Sequence, residues 1–290
     1  MGATKLIDSN AEYLGDPQDA VCALALRRLN RLQLPYLVGG TFAMTRYTGI
    51  QRGTKDVDLF VHRRNLDALL QALTDMGLET SIPYPHWLAK AKSEALTFDI
   101  IFGSGNGFAP VDDEWFQYAR DAELYGVAVK LMPPEELIWS KAFIMERERY
   151  DGGDIAHLLR AQGPTLDWPR LERRFGDAIP VLLAHLLLFR FIYSDAADYL
   201  PPDVYPRVNA LAEQALHRLS RSRERVCRGT VLSREQFLAD IHELGYADGR
   251  IVAGAMTPGE VWHWTQAIDR PEEPPPSPGP GKGGAGNPRR

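Results

Sequence analysis

The sequence predicts an α/β protein in which a small mixed sheet with helices packed on it is followed by a helical domain. Two observations carry this prediction. Short apolar runs of strand length, bounded by Gly, Pro or polar residues, recur through the first half of the chain. Apolar residues at helical spacing dominate the second half. The predicted divisions are an N-terminal segment at 1–19, the α/β core at 20–132, the helical domain at 133–270 and a disordered Pro/Gly-rich tail at 271–290.

The first half is predicted to alternate helices and strands. Apolar spacing over 20–32 predicts a helix, and the strand that follows it stops at Gly39 and Gly40. Thr41 has a side chain suited to a helix cap, so a helix is expected to follow it over 42–47. The other predicted core elements are a helix at 65–76 and strands at 34–38, 56–61, 88–92, 96–102 and 127–131.

The second half is predicted to be helical from Pro133 onward. Ser233, followed by Gln236 three residues later, resembles a capping box and predicts a late helix start. The predicted helices are 135–149, 154–160, 168–175, 179–193 and 205–221.

Charge and hydropathy exclude some classes of protein. The chain of 290 residues has 33 basic and 38 acidic side chains and a formal net charge of −5, which argues against a protein built mainly to coat duplex nucleic acid. Its first twenty residues lack the apolar core of a signal peptide. The most apolar run, 181–193, is short for a bilayer span and contains His185 and Arg190. A cytoplasmic protein without membrane contact is therefore expected.

Three acidic residues lie on predicted strands. Side chains alternate along a strand, so Asp56 and Asp58 point the same way while their apolar neighbours point into the core. Two carboxylates on one face repel each other, which is costly unless a divalent cation lies between them. Asp99, in a second apolar strand, would be the third ligand. The pattern predicts that these three aspartates are catalytic and bind Mg²⁺, or Mn²⁺ in its place.

The glycine pair after the first strand adds a phosphate site to this pattern. Gly39 and Gly40 leave room for backbone N–H groups to approach a phosphate, and the helix beginning near Thr41 directs its positive end to the same anion. Together with the aspartates, these features fit a nucleoside triphosphate. Each feature alone has a plainer interpretation: glycines that only turn the chain, a solvated pair of acids on an edge strand, or an acid capped by a backbone donor.

The glycine pair and the three aspartates resemble the Gly-Gly/Ser, Asp-x-Asp and third-Asp motifs of the nucleotidyltransferase (polymerase-beta-like) superfamily. The matching stretches are 38–41, 52–58 and Asp99, within a resemblance that covers about 20–160. The branch that it resembles most contains the AbiEii-type toxins and small bacterial nucleotidyltransferases. The resemblance implies a polymerase-beta-like nucleotidyltransferase core. It also implies an enzyme that transfers a nucleoside monophosphate from an NTP to a hydroxyl of RNA, protein or a small molecule, releasing pyrophosphate.

The AbiEii-type branch also carries a Lys on a helix, followed by a stretch rich in Arg and Asp, and residues 136–155 are similar to it. By this match Lys141 contacts the triphosphate, and Asp154 or Asp151 orients Lys141 or the acceptor hydroxyl. Plainer interpretations remain open. Lys141 could extend from an apolar stripe to water, and the two acids could serve the first turn of a helix.

Arg52 and Lys55 lie beside the aspartates and are candidates for phosphate contact or ordinary loop charges. The expected partners are an NTP and an acceptor whose nature the sequence leaves open. Two further hypotheses stand beside the enzyme: a catalytically idle nucleotide-binding sensor or partner module, and an AbiEii-type toxin with a small antitoxin-like partner.

Overall fold

A seven-stranded mixed sheet organises the first half of the chain. The computed structural model describes residues 17–54, 56–221 and 224–266, so Lys55, the predicted tail and most of the predicted N-terminal segment lie outside the described residues. The elements of the core, in chain order, are α1 (Pro17–Arg31), β1 (Leu37–Val38), α2 (Gly40–Thr48), β2 (Asp56–Phe60), α3 (Leu66–Thr74), β3 (Glu79–Tyr84), β4 (Leu88–Lys92), β5 (Thr97–Ile101), α4 (Asp113–Gln117), β6 (Arg120–Leu124) and β7 (Val127–Leu131).

The strand order in this sheet is β3-β4-β5-β2-β1-β7-β6. The pairs β2–β5 and β1–β7 are parallel, and the other neighbouring pairs are antiparallel. The predicted α/β class with a helical part after it is therefore confirmed. The central position of β2 and β5 matters most, because these two strands carry the predicted aspartates.

One face of the sheet is closed by α1 and α3. Val57, Leu59, Phe98 and Ile100 on β2 and β5 are almost completely buried. Burying each such side chain contributes about 1.5–3 kcal/mol. Because side chains alternate along a strand, the residues between these apolar positions must point to the opposite face.

The second half is helical until residue 220. It contains α5 (Pro134–Ala142), α6 (Gly152–Gln162), α7 (Trp168–Phe175), α8 (Ile179–Ile192) and α9 (Val204–Ser220). The final described stretch, which we call the C-terminal segment (residues 224–266), contains β8 (Val226–Cys227), α10 (Gly229–Leu232), α11 (Leu238–His242), β9 (Ala247–Asp248), α12 (Gly249–Val252) and α13 (Pro258–Gln266).

A buried ionic network joins α5 to α7. The Arg170 guanidinium, only 2 % exposed, donates to the carboxylates of Glu135 and Glu136. Arg174 of the same helix donates to both carboxylate oxygens of Asp112, at 2.5 and 2.8 Å. Removing one member of such a buried pair costs about 3–5 kcal/mol, since it leaves a charge without its partner. The network therefore holds α5 in place against the rest of the helical part.

Among the described residues, one stretch, Trp168–Ile192, is long and apolar enough by length and composition to cross a membrane. Gly176, at φ +51°, separates its two helices, and the inner face of α8 packs against α6 and α9. The outer face of α8 is apolar and exposed, with Phe191 87 % accessible. Absence of membrane contact and a cytoplasmic location stay predictions.

Several predicted elements differ from the observed ones. No strand was predicted at β3 or β6, which are the two edge strands. The helix predicted over 135–149 ends at Ala142 instead, because the next backbone groups bond elsewhere: Met145 N donates to Leu232 O at 3.0 Å. The prediction that a helix starts at Ser233 was wrong. The Ser233 hydroxyl does accept from Gln236 N at 3.2 Å, but the next helix begins at Leu238.

Candidate active site

Asp58 and Asp99 lie side by side on the face of the sheet opposite α1 and α3. They are direct Cα partners across the parallel pair β2–β5, and Asp56 lies two residues from Asp58 on the same face. Burial raises the pKa of the Asp58 carboxyl to about 6, and repulsion from Asp99 and Asp56 acts in the same direction against the opposing cations Lys141 and Arg149. The strand pairing places the three aspartates on one face of the sheet, and their convergence on a metal ion stays a prediction.

Lys90 occupies a position beside Asp99 that the sequence analysis did not identify. It is the Cα partner of Asp99 across β4–β5, and its Nζ donates to Asp99 Oδ1 at 2.7 Å. Both side chains are partly buried, at 30 % and 21 % exposure. Among the residues that the structure describes, no group of three or more acidic, His or Cys side chains is assembled to hold a metal ion. In this arrangement Asp99 is balanced by an ammonium group.

The glycine pair lies directly over Asp58. Gly39 N donates to Asp58 O at 3.0 Å, and α2 begins at Gly40. Gly40 has φ +51°, and a Cβ there would lie 1.5 Å from Asp58 Oδ2. Only glycine allows this conformation and this approach without strain. The cap of α2 is Gly39, so the predicted capping role of Thr41 was wrong; Thr41 lies inside the first turn.

Lys141, on α5, is held by both candidate acids. Its Nζ lies 2.7 Å from Asp151 Oδ2 and 2.8 Å from Asp154 Oδ2. Asp154 also pairs with Arg52, and Asp151 accepts from Arg149 Nε at 3.0 Å. Asp151 stands at the cap position of α6, but its side chain makes no capping bond. Both acids therefore contact Lys141, and the role of either one in the reaction stays a prediction.

These contacts set the protonation of the two acids. Burial alone would raise the pKa of each, but the pKa of Asp151 is lowered by Arg149 and Lys141 together. The pKa of Asp154 is lowered in the same way by Lys141 and Arg52. Both carboxylates therefore stay ionised near neutral pH and keep the Lys141 ammonium in position.

A cleft of about 570 Å³ opens over Asp58 and Asp99, while Asp56 lies outside its lining. Its lining includes Gly40, Asp58, Asp99 and Lys141 from the core and α5. The C-terminal segment contributes the remaining side of the lining, including 230–236. This volume falls in the range of small-molecule sites, about 300–1,000 Å³.

The other predicted residues lie around this cleft rather than in it. Thr41 and Arg52 line a separate cavity of about 180 Å³ beside α2. Gly39 is buried beneath Gly40, and Asp154 reaches the cleft only through Lys141. Lys55 lies outside the described residues.

The donors present match Mg²⁺ or Mn²⁺ in kind, because hard divalent cations take carboxylate oxygens. Asp58 supplies the supporting observation: a carboxylate that is buried next to two others and carries a raised pKa is the kind of group that a cation would stabilise. To bind the cation, Asp99 would have to give up the hydrogen bond that it accepts from Lys90. Metal binding by the three aspartates stays a prediction.

Lys90 and the C-terminal segment belong to the site, but neither was predicted from the sequence. The alternation of Lys90 and Lys92 along β4 showed that both face one side, but the register that places Lys90 opposite Asp99 is a long-range property of the sheet. Trp264 and Arg234 carried no motif that connected them to the aspartates.

The sheet, the aspartate pair and the glycine-led helix over it define a protein of the nucleotidyltransferase class. The chain belongs to the family described as "Nucleotidyl transferase of unknown function (DUF2204)", whose model matches residues 20–167. The match covers the core and the helices with Lys141 and Asp154, and it ends before α7. The predicted superfamily is thereby confirmed, while the AbiEii-type branch stays a prediction.

Solved structures with a similar fold include three proteins of low identity. The antibiotic-resistance factor ANT(2'')-Ia is 17 % identical, with a TM-score of 0.42, over 61 % of this chain and 98 % of that one. The lincosamide antibiotic adenylyltransferase LnuA, bound to lincomycin, is 16 % identical (TM-score 0.36; 48 % and 94 % covered). An antigenic nucleotidyltransferase-like protein from Paracoccidioides brasiliensis is 18 % identical (TM-score 0.40; 63 % and 93 % covered). No curated relative matches the sequence.

Proposed function

We propose that the protein transfers a nucleoside monophosphate from an NTP to an acceptor hydroxyl and releases pyrophosphate. The observation that carries the proposal is the pairing of Asp58 with Asp99 directly beneath Gly40 at the start of α2. Gly40, Asp58 and Asp99 line the same cleft, whose volume of about 570 Å³ falls in the range of small-molecule sites. Membership of a nucleotidyl transferase family supports the same reaction class.

The residues divide between binding and chemistry. Backbone N–H groups at Gly40 and the start of α2 donate hydrogen bonds to the phosphates, which also face the positive end of that helix. Lys141 contacts the triphosphate, and Asp151 and Asp154 keep the Lys141 side chain in position. Asp99 takes the proton of the acceptor hydroxyl. The hydroxyl oxygen then forms a bond to the α-phosphorus, and the bond from that phosphorus to the bridging oxygen breaks, so pyrophosphate leaves with the electron pair.

Mg²⁺ or Mn²⁺ held by Asp56, Asp58 and Asp99 would act as a Lewis acid toward the phosphate oxygens. The chain's own part is to present ionised carboxylates on one rigid face of the sheet. β2 and β5 provide this rigidity, since both are central strands with buried apolar residues on their other face. Positions of catalytic groups on such strands are held within small tolerances.

The test is transfer of label from each of the four α-labelled NTPs to components of a cell extract, with Mg²⁺ or Mn²⁺ supplied. We expect labelled product with the native protein and none with Asp58→Asn, which keeps the size of the side chain and removes its charge. Asp121→Asn is the matched control, because Asp121 lies exposed on the edge strand β6. Equal labelling by native protein and Asp58→Asn, with both folded by circular dichroism, contradicts the proposal.

Two further measurements, calorimetry and growth on expression, address the remaining hypotheses. Binding of NTP by calorimetry without label in any fraction supports an idle sensor or partner module. Growth arrest on expression that Asp58→Asn relieves supports the toxin hypothesis and with it a search for a small antitoxin-like partner.

A further inference from the structure

The C-terminal segment closes the cleft on the side away from α2. Hydrogen bonds hold its residues 231–234 to the core and to the loop after α5. Asn106 Nδ2 donates to Val231 O at 2.7 Å. The Glu146 carboxylate accepts from Ser233 Oγ at 2.5 Å and from Arg234 N at 2.8 Å. The side of the cleft beyond Asp99 is therefore a defined wall, and it lies outside the part that the family model matches.

Aromatic residues build the corner of this wall. Trp264 of α13 meets Tyr84 and Trp87 edge to face, with ring centroids 4.9 and 5.5 Å apart. Gly105 lies against its ring, where a Cβ would come within 2.6 Å of Trp264 Cζ2. The guanidinium of Arg234 lies over the same ring, 4.7 Å from its centroid. Packing on three sides holds the indole, and the indole supports Arg234.

Arg234 differs from the other cations of the cleft in its partners. Lys141 and Arg149 are each paired with Asp151. Within the described ranges, the half-buried side chain of Arg234 forms no ion pair with a carboxylate. The half-buried Glu146 carboxylate in this part of the lining accepts hydrogen bonds from Ser233 Oγ and Arg234 N. The other charged groups there are exposed, so solvent screens them; they are Arg147, Glu148 and Glu235.

A guanidinium stacked on a ring keeps its N–H edge free, and that edge matches a carboxylate or phosphate group in a bidentate manner. We propose that the acceptor is a small hydroxyl compound carrying such an anionic group, which binds Arg234 while the hydroxyl faces Asp99. This inference rests on the proposed nucleotidyl transfer and adds the class of acceptor to it. The cleft volume, of the size that small molecules fill, supports a small acceptor over a macromolecule.

The test uses cell extract divided before the labelled NTP is added. Ultrafiltration separates proteins and RNA from small molecules, and the filtrate is passed over an anion exchanger or a cation exchanger. We expect labelled product from the filtrate, its loss after the anion exchanger and its survival after the cation exchanger. Phosphatase treatment of the filtrate, followed by removal of the phosphatase, distinguishes the two anions: loss of the product assigns a phosphate, and persistence assigns a carboxylate.

The possible failures can be told apart. No label in undivided extract defeats the proposed reaction and this inference together. Label confined to the retained macromolecules overturns only the small acceptor. Acceptor activity in the filtrate that survives the anion exchanger overturns only the anionic group.

A variant series tests Arg234 itself. Arg234→Gln should raise the KM for the filtrate acceptor about tenfold or more, since it removes charge-assisted hydrogen bonds, while the KM for NTP stays unchanged. Arg234→Lys should recover part of the loss. Arg225→Gln is the matched control: Arg225 lies 4.2 Å over the Tyr246 ring in the same segment but does not line the cleft. An unchanged acceptor KM in Arg234→Gln contradicts the assignment.

Discussion

Gly40 lies against Asp58, whose carboxylate occupies the space that a side chain at position 40 would take. Any side chain at Gly40 would displace the Asp58 carboxylate, and the positive φ adds backbone strain. Loss of position by about 1 Å can cost about a hundredfold in rate. The position of the Asp58 carboxylate therefore depends on a glycine at position 40.

Gly40→Ala should reduce nucleotidyl transfer by about a hundredfold or more, because the new Cβ displaces Asp58. Gly49→Ala, at the other end of α2, is the matched control. It also has positive φ, +73°, but nothing lies within 4 Å of the added Cβ. That control should lose only about 1 kcal/mol of unfolding free energy through backbone strain and keep its activity. Similar activities in the two variants would refute the contact as a requirement of the site.

Lys90→Met should bind Mn²⁺ about fivefold more tightly than the native protein without nucleotide, measured by electron paramagnetic resonance titration. The substitution frees Asp99 from an ion pair worth up to about 1 kcal/mol. Lys130→Met is the matched control, since Lys130 pairs with Asp121 in the same cross-strand manner at 3.0 Å away from the cleft. Unchanged or weaker Mn²⁺ binding by Lys90→Met speaks against competition at Asp99.

At this scale the sequence predicted the aspartates better than their surroundings. Strand alternation is a local property, so the common face of Asp56 and Asp58 could be foreseen. Lys90 could not, since its place opposite Asp99 depends on the register between two strands. Nor could the sharing of Lys141 between Asp151 and Asp154, which depends on how α5 meets α6.

Among the elements, the missed strands are the two at the sheet edges. β3 contains Pro83 and has no buried residue, and β6 reads Arg-Asp-Ala-Glu-Leu with alternating exposed positions. Edge strands bury less apolar surface and tolerate charge and proline, so their sequences lack the signal of a central strand. β2 and β5, which are buried on one face, were recognised from their apolar runs.

Helix ends were missed where tertiary hydrogen bonds replaced helical ones. The α5 helix could have continued past Ala142 by its composition. It ends because the loop after it bonds to the C-terminal segment through Met145 and Glu146. Such contacts connect positions far apart in the chain, which local patterns do not report.

The acid sensitivity of the helical part should depend on His185 of α8. Its Nε2–H donates to Ala142 O at 2.9 Å, and burial lowers the pKa of its imidazole. The unfolded chain binds the proton at its usual pKa near 6.5, so stability from neutral His185 is present above that pH and is lost as pH falls through the lower native pKa.

His185→Gln should therefore unfold about 1–3 kcal/mol more easily at pH 8, a difference that narrows as the pH falls below about 6.5. Urea unfolding across this range measures it. His217→Gln, at an exposed position on α9, should follow the native protein at every pH. A gap that stays constant with pH in His185→Gln would contradict a buried neutral imidazole.

Across the whole molecule, the C-terminal segment completes a site whose chemistry lies in the core. Gly107, at φ +75°, lies under this segment, and a Cβ there would come within 2.2 Å of Ala255 O. The contact is backbone to backbone and leaves no flexible group to move aside. The wall of the cleft therefore depends on a residue of the loop that follows β5.

Gly107→Ala should loosen the C-terminal segment and raise hydrogen exchange of its amides over the described residues 224–266. Gly126→Ala is the matched control, because Gly126 has φ +69° in the β6–β7 turn with nothing near the added Cβ. Exchange in that variant should change only around the turn. Equal protection of the C-terminal segment in both variants would show that the Gly107 contact does not hold it.

The ionic network between α5 and α7 determines where the chain can be shortened. Glu135 and Glu136 belong to the stretch shared with the family, whereas Arg170, their buried cation, lies just past its last matched position. A fragment that ends at residue 167 would keep the buried carboxylates of Glu135 and Glu136 but lose Arg170, the cation that pairs with both. Such a fragment should be insoluble, so shortened versions of this protein must retain α7 to yield usable material.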